Sequence, residues 1–215
     1  MLERTITRIC GYKNALYRLK KLGFVRVFSD NIADAVGVTP SQVRKDFSMF
    51  AISGNKRGGY KVDELLDSIC RILGKNQVCK VVVVGAGKIG LALMNYAGFE
   101  KENVEIKAAF DIDPEKFSND VSVPVLPLAK LAEFVRSEAI KVGVIAVPDV
   151  AAQHVADLMV SAGIKGILNF APILLKGVGD TIVKNVNLEL ELENIIYFVN
   201  AREKSPERSY EKEQS

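Results

Sequence analysis

The chain has 215 residues, 48% hydrophobic and 26% charged, with 16 Gly and 7 Pro, which describes a globular protein with a core and excludes a disordered or fibrous one. "MLERTITRIC" lacks the apolar core of a signal peptide, no apolar run reaches the ~20 residues that span a bilayer, and three widely spaced cysteines with a single histidine, His154, exclude a disulfide framework and a His-rich metal site; the expectation is a cytoplasmic protein without membrane or metal. The net charge of +3 is uneven: residues 1–75 hold 14 Lys and Arg against 7 Asp and Glu (+7), and the remainder 15 against 19 (−4), so an anionic partner is expected for the first part alone.

Residues 3–22 follow a helical pattern, with Ile6, Ile9, Leu16, Leu19 and Leu22 on one side and Gly23 as the stop. "SDNIADAVG" (29–37) reads as a short helix with Ser29 as its N-cap and Gly37 as its end. "TPSQVRKDFSMF" (39–50) follows at once, with Thr39 as cap and Pro40 in the first turn, where its missing N–H costs nothing. Two helices joined by a tight turn make a helix-turn-helix. In the second, Val43, Phe47 and Phe50 recur at i, i+4, i+7 and point inward against Ile32, Ala33, Val36 and Val38. Ser41, Gln42, Arg44, Lys45 and Ser48 then face outward, with donors suited to phosphates and base edges in a major groove. "GNKRGGYKV" (54–62) reads as a tight hairpin with Lys56 and Arg57 at its tip, the wing of a winged helix. "LGKNQVCK" (73–80) is the junction, which places a DNA-binding domain at 1–76.

"KVVVVGAGKIGLAL" (80–93) is a continuously apolar strand, a GxGxxG turn and a helix. Gly85 permits the tight turn, Gly87 lets a pyrophosphate approach the backbone, and Gly90 lets helix and strand pack closely. The N–H groups around Ala86, Lys88 and Ile89 face the phosphates. The next strand, 104–113, carries Asp111, 21 residues after Gly90, where a carboxylate accepts from both ribose hydroxyls and repels a 2′-phosphate; NADH or NAD+ is therefore expected and not the phosphorylated cofactor. Asp113 is the second choice, as a cap on the turn at Pro114. "VGVIAVP" (142–148), "DVAAQHVADLMVSAG" (149–163) and "GILNFAP" (166–172) add strand, helix and strand, so the region 77–185 is a Rossmann-type, doubly wound parallel sheet whose pocket is lined by Val147, Pro148, Asn169, Phe170 and Pro172. No proton donor stands at a strand end, since His154 falls inside a helix, and about 40 residues remain beyond 172, too few for a substrate domain. The alternatives to a ligand-responsive DNA-binding protein are an NAD-dependent oxidoreductase with an accessory N-terminal domain, and a nucleotide-binding module whose basic face meets protein or RNA.

Together "SQVRKDFSMF" (41–50), "GNKRGGY", "VVGAGKIGLALMNYAGF" (83–99), "AAFDIDPEK" (108–116), the stretch 147–172 and "VNLELELENIIYFV" (186–199) resemble the redox-sensing transcriptional repressor family Rex over nearly the whole chain. The resemblance implies a homodimer on pseudo-palindromic operator DNA, released by NADH. It also implies a swapped C-terminal helix over 186–204, ahead of a charged tail at 205–215, and a place for Tyr96 near the nicotinamide. Relatives tend to carry an acidic residue where this chain has Asn187, coupled across the dimer to an arginine where it has Asn14. The resemblance therefore implies either different hydrogen bonds between domains or a less complete release by NADH. The wing cations are also expected one position later than in relatives.

Overall fold

Helix α1 (Leu2–Lys21) opens the first of the two units into which the chain divides, Met1–Val78 and Cys79–Ser215. The computed structural model describes residues 2–55, 58–118 and 122–203. The buried side of α1 is Thr5, Ile9, Tyr12, Lys13, Ala15 and Leu16. Leu22 is 74% exposed, contrary to the expected apolar face, because the helix ends at Lys21 and the chain turns away at Gly23. Strand β1 (Arg26–Val27) leads into α2 (Ser29–Val36) and α3 (Pro40–Met49). The cap of α2 is Phe28 and not Ser29: the Asn31 side chain accepts the Phe28 N–H at 2.8 Å, and Ser29 is the buried first helical residue. Gly37 ends α2 at φ 74°, a conformation that costs a residue with a Cβ and leaves room for the turn into α3. Strand β2 (Tyr60–Lys61) pairs antiparallel with β1, and α4 (Val62–Ile72) closes the unit. The core joins Ile9, Tyr12, Leu16, Val27, Ile32, Val43, Phe47, Leu65 and Ile69, and Phe47 stacks edge-to-face on both Tyr12 and Tyr60.

The second unit is a six-stranded sheet made of β3 (Cys79–Val84), β4 (Val104–Asp111), β5 (Val125–Pro127), β6 (Val142–Ile145), β7 (Gly166–Asn169) and β8 (Ile182–Asn185). All neighbours are parallel and the order is β5-β4-β3-β6-β7-β8. The order reverses between β3 and β6, the switch point at which such sheets hold nucleotides beyond the strand ends. Helices α5 (Lys88–Met94) and α6 (Gly98–Lys101) follow β3, while α7 (Leu131–Ser137) and α8 (Asp149–Ala162) precede and follow β6. Period-two alternation splits β3 between two cores. Val82 and Val84 join Phe110, Val135, Val155 and Met159 on the side of α7 and α8, and Val81 and Val83 join Ala109, Val144 and Leu93 on the side of α5. The last helix, α9 (Leu188–Glu203), contains no buried residue.

Candidate functional site

In the first unit the local chemistry aims α3. The Thr39 Oγ1 accepts the Gln42 N–H at 3.1 Å and Pro40 opens the first turn. Val43 and Phe47 are fully buried and Phe50 is half-buried. That seating leaves Ser41, Arg44, Lys45 and Ser48 exposed on the opposite face. Gln42 departs from the outward set. It is half-buried, and its Nε2 donates to Asp46 Oδ1 at 2.7 Å.

Asp46, 1% exposed, is the hub of a network that the hydrophobic pattern does not announce. Arg8 of α1 grips it with two parallel bonds, Nε to Oδ2 at 2.6 Å and Nη2 to Oδ1 at 2.7 Å, and the Tyr12 hydroxyl donates to Oδ2 at 2.7 Å. With Gln42, four donors meet the roughly four acceptor positions of a carboxylate. Burial works to raise the Asp46 carboxyl, but the bonds from Arg8, Tyr12 and Gln42 outweigh it and hold it below the usual range. Burial, reinforced by the bond to Asp46, raises the Tyr12 phenol, and the bond to Asp46 raises the Arg8 guanidinium, so both remain donors. The available signal was the i, i+4 spacing of Gln42 and Asp46, with Asp46 falling between Val43 and Phe47 on the inward side.

The wing base is a bridge between Asn55 and Gly59, and Arg26 Nη1 donates to the Gly58 carbonyl at 2.7 Å. A cleft of about 400 Å³ separates it from α2 and α3, with Arg44, Ser29, Asp30 and Tyr60 among its walls. Lys56 and Arg57, expected at the tip, lie outside the described residues.

In the second unit the glycine turn has the geometry its spacing predicts. Gly85 stands at φ 102° against the Ala146 carbonyl, so a side chain there would be both strained and obstructed. A Cβ on Gly90 would overlap the Gly85 carbonyl oxygen. Beside Gly87 there is open space, as a backbone that receives a pyrophosphate requires. Gly87, Lys88 and Ile89 stand in the first turn of α5, where N–H groups have no intrahelical acceptor. Because α5 has only 7 residues, its dipole is small.

Asp111 sits at the end of β4, 7% exposed. Its Oδ2 accepts from Ala86 N at 2.8 Å and Lys116 Nζ at 3.1 Å, and its Oδ1 accepts from Asp113 N at 3.0 Å. Burial works to raise this carboxyl, but the backbone N–H groups of Asp113 and Ala86, with Lys116, hold it low. Three donors leave about one acceptor position, on Oδ1. Where the sequence leads to the expectation of two ribose hydroxyls on Asp111, this arrangement leaves about one open acceptor position, and Ala86 N donates to Asp111 Oδ2. Asp113 caps the 3-10 turn at Pro114 through the Glu115 N–H, 3.1 Å.

The strand ends bring Val147 and Phe170, both half-buried, and the exposed Pro148 and Pro172 to the C-terminal edge of the sheet. Asn169 is there too, but it is fully buried. Its Nδ2 donates to the Ala171 and Ile173 carbonyls and to Asn185, and its Oδ1 accepts the Ala171 N–H. It shapes the loop after β7 and has little left for a ligand. Tyr96, 60% exposed, stands edge-to-face with Phe99 beyond α5. His154 is exposed on α8. Asn187 accepts the Leu190 N–H at 3.0 Å and so caps α9, while Asn14 is exposed on α1. Among the described residues no helix is long and apolar enough to cross a membrane, and no group of three or more His, Cys, Asp or Glu is placed to hold a metal.

Residues 3–48 match the family model described as putative DNA-binding protein N-terminus, and residues 76–173 the one described as CoA binding domain. A crystal structure of RSP in complex with β-NAD+ and operator DNA is 36% identical with a TM-score of 0.88, covering 94% of this chain and 93% of that one. RSP in complex with β-NADH, also 36% identical, covers 93% of this chain and 94% of that one with a TM-score of 0.81. The redox-sensing transcriptional repressor Rex of Desulforamulus reducens is 41% identical across 94% of this chain and 97% of its own length. The Rex of Carboxydothermus hydrogenoformans is 44% identical across 91% and 94%. With kinship of that depth over both of its units, the chain belongs to the Rex family of redox-sensing transcriptional repressors.

Proposed function

We propose that this protein represses transcription as a homodimer on two-fold symmetric operator DNA and that NADH, more than NAD+, releases it. The observation that carries this reading is the full-length similarity to RSP, solved once with β-NAD+ and operator DNA and once with β-NADH. Ser41, Arg44, Lys45 and Ser48 of α3 enter the major groove, and Lys56 and Arg57 reach phosphates or the minor groove. Two such helices in one dimer meet half-sites about 34 Å apart. Gly87, Lys88 and Ile89 receive the pyrophosphate, Asp111 takes one ribose hydroxyl, and Tyr96, Val147, Pro148, Phe170 and Pro172 surround the nicotinamide. The assignment of domains is 1–76 for DNA, 77–185 for the dinucleotide and 186–204 for dimerisation. The protein acts in the cytoplasm, where its operator is.

The dimer reading is supported by α9. Eight large apolar side chains, from Leu188 and Leu190 to Phe198 and Val199, are 49–67% exposed on a helix with nothing buried. A run of exposed apolar side chains along one helix is what an interface presents. The oxidoreductase alternative would call first on the chain's single histidine, and His154 is exposed on α8 and not at a strand end.

NADH and NAD+ share every contact except those at the nicotinamide, so only that end can bias two conformations differently. Binding of DNA and release by NADH are then reciprocal: DNA weakens NADH binding by the factor with which NADH weakens DNA binding. The test is a titration of the labelled DNA complex with each dinucleotide at one fixed salt concentration. Release at lower NADH than NAD+ is expected; equal potency would overturn the redox reading.

A further inference from the structure

The Asp46 network has a consequence for base reading that rests on α3 being the DNA-reading helix. An ionised carboxylate only accepts hydrogen bonds. The Gln42 amide therefore has to face Asp46 with its nitrogen, and Nε2 does so at 2.7 Å. The direction of this amide is set by chemistry and is not one of two equivalent choices. It stays set because Asp46 cannot turn: Arg8 holds both oxygens and Tyr12 holds one of them, from a helix whose Tyr12 ring is wedged against Phe47. The Oε1 and the second N–H of Gln42 are left for another partner. A fixed acceptor beside a donor complements the adenine edge in the major groove, where N6–H donates and N7 accepts. Gln42 is only half-buried, so that edge can be met.

We infer that Gln42 is a specificity-determining residue for an adenine in each operator half-site, and that Asp46, with Arg8 and Tyr12, is the positioning residue that presets its amide. Asp46 itself touches no DNA. Its role differs from that of Arg44 and Lys45, whose cations attract any duplex.

The experiment begins with selection, by the full-length wild-type chain, of bound duplexes from a random two-fold symmetric library. Every single base-pair change in the selected duplex is then measured against wild type, Gln42→Ala, Asp46→Asn and the double variant at one salt concentration. For wild type, one A·T pair per half-site should show a penalty of about tenfold or more that Gln42→Ala removes. Asp46→Asn should remove the same penalty and leave the other positions discriminated. Adding Asp46→Asn to Gln42→Ala should then change nothing further at that pair. Tyr12→Phe, which keeps the ring against Phe47, should relax the same pair by a smaller factor and serves if Asp46→Asn does not fold. If Gln42→Ala leaves every penalty in place, or if the Asp46 and Tyr12 variants weaken all duplexes equally in either background, the inference is wrong and Asp46 is structural alone. Failure of the wild type to select any duplex would instead overturn the proposed function.

Discussion

Each unit buries one aspartate among its described residues, and the two are closed in different ways. Asp46 is met by four side-chain donors, three of them from α1, so its acceptor capacity is spent within the protein. Asp111 is met by two backbone N–H groups and one lysine, which leaves one acceptor position at the mouth of the nucleotide turn. A carboxylate saturated by side chains is a fixed post between helices. A carboxylate held mostly by backbone positions a loop and keeps some capacity for a ligand.

The largest effect on this comparison should come from Arg8→Ala. It strips a buried carboxylate of a bidentate partner and should cost the first unit about 3 kcal/mol, read as a lowered urea midpoint, with NADH affinity retained. Asp111→Ala should do the reverse. Global stability should change less, while NADH binding weakens by about tenfold or more and the preference against NADPH shrinks, because Ala86 N and Lys116 are freed for a 2′-phosphate. Calorimetric titration with both nucleotides checks this, and an unchanged preference would move ribose reading to another residue.

Tyr12→Phe removes one bond to a charged group and should cost about 1.5 kcal/mol. Acid should reveal the same post. The Asp46 carboxyl is depressed in the folded state, so its contribution is complete above the unfolded value near ~4 and is lost as the pH falls through the lower folded value. Unfolding midpoints measured from pH 7 down to pH 3 should therefore fall less steeply for Asp46→Asn than for wild type. The smallest effect is expected from Thr39→Ala, about 1 kcal/mol from a lost helix cap, with no change at Asp46.

Much of this architecture is written in local pattern. The glycine turn is legible because each glycine answers a separate steric demand, and the outward face of α3 is legible because Val43 and Phe47 fix its rotation. The strands β5 and β8 are not, since runs of 3 and 4 residues are too short to show a period. Asp46 was hidden because a charged residue on a basic helix looks solvated. Its burial depends on Arg8 and Tyr12, 38 and 34 residues away, and only the packed structure brings them together. The donors around Asp111 are illegible for a related reason: position along the strand shows where a carboxylate is and not which neighbours already occupy its oxygens. The placement of Asn169 has the same origin, since nothing in "LNFAP" says that the amide folds back on its own loop.

Helix α9, none of whose residues is buried, carries a genetic consequence. If its apolar face is covered by a second copy, assembly does not depend on whether either copy can read DNA. A chain that has lost Arg44 but keeps α9 would still capture intact chains, and each mixed pair would present one working helix to a site that needs two. Expressed at equal levels with the intact chain, such a variant would leave about one pair in four fully competent by random pairing and so be dominant over it. A second change that places charges along Ile195, Ile196 and Phe198 would make the same variant recessive.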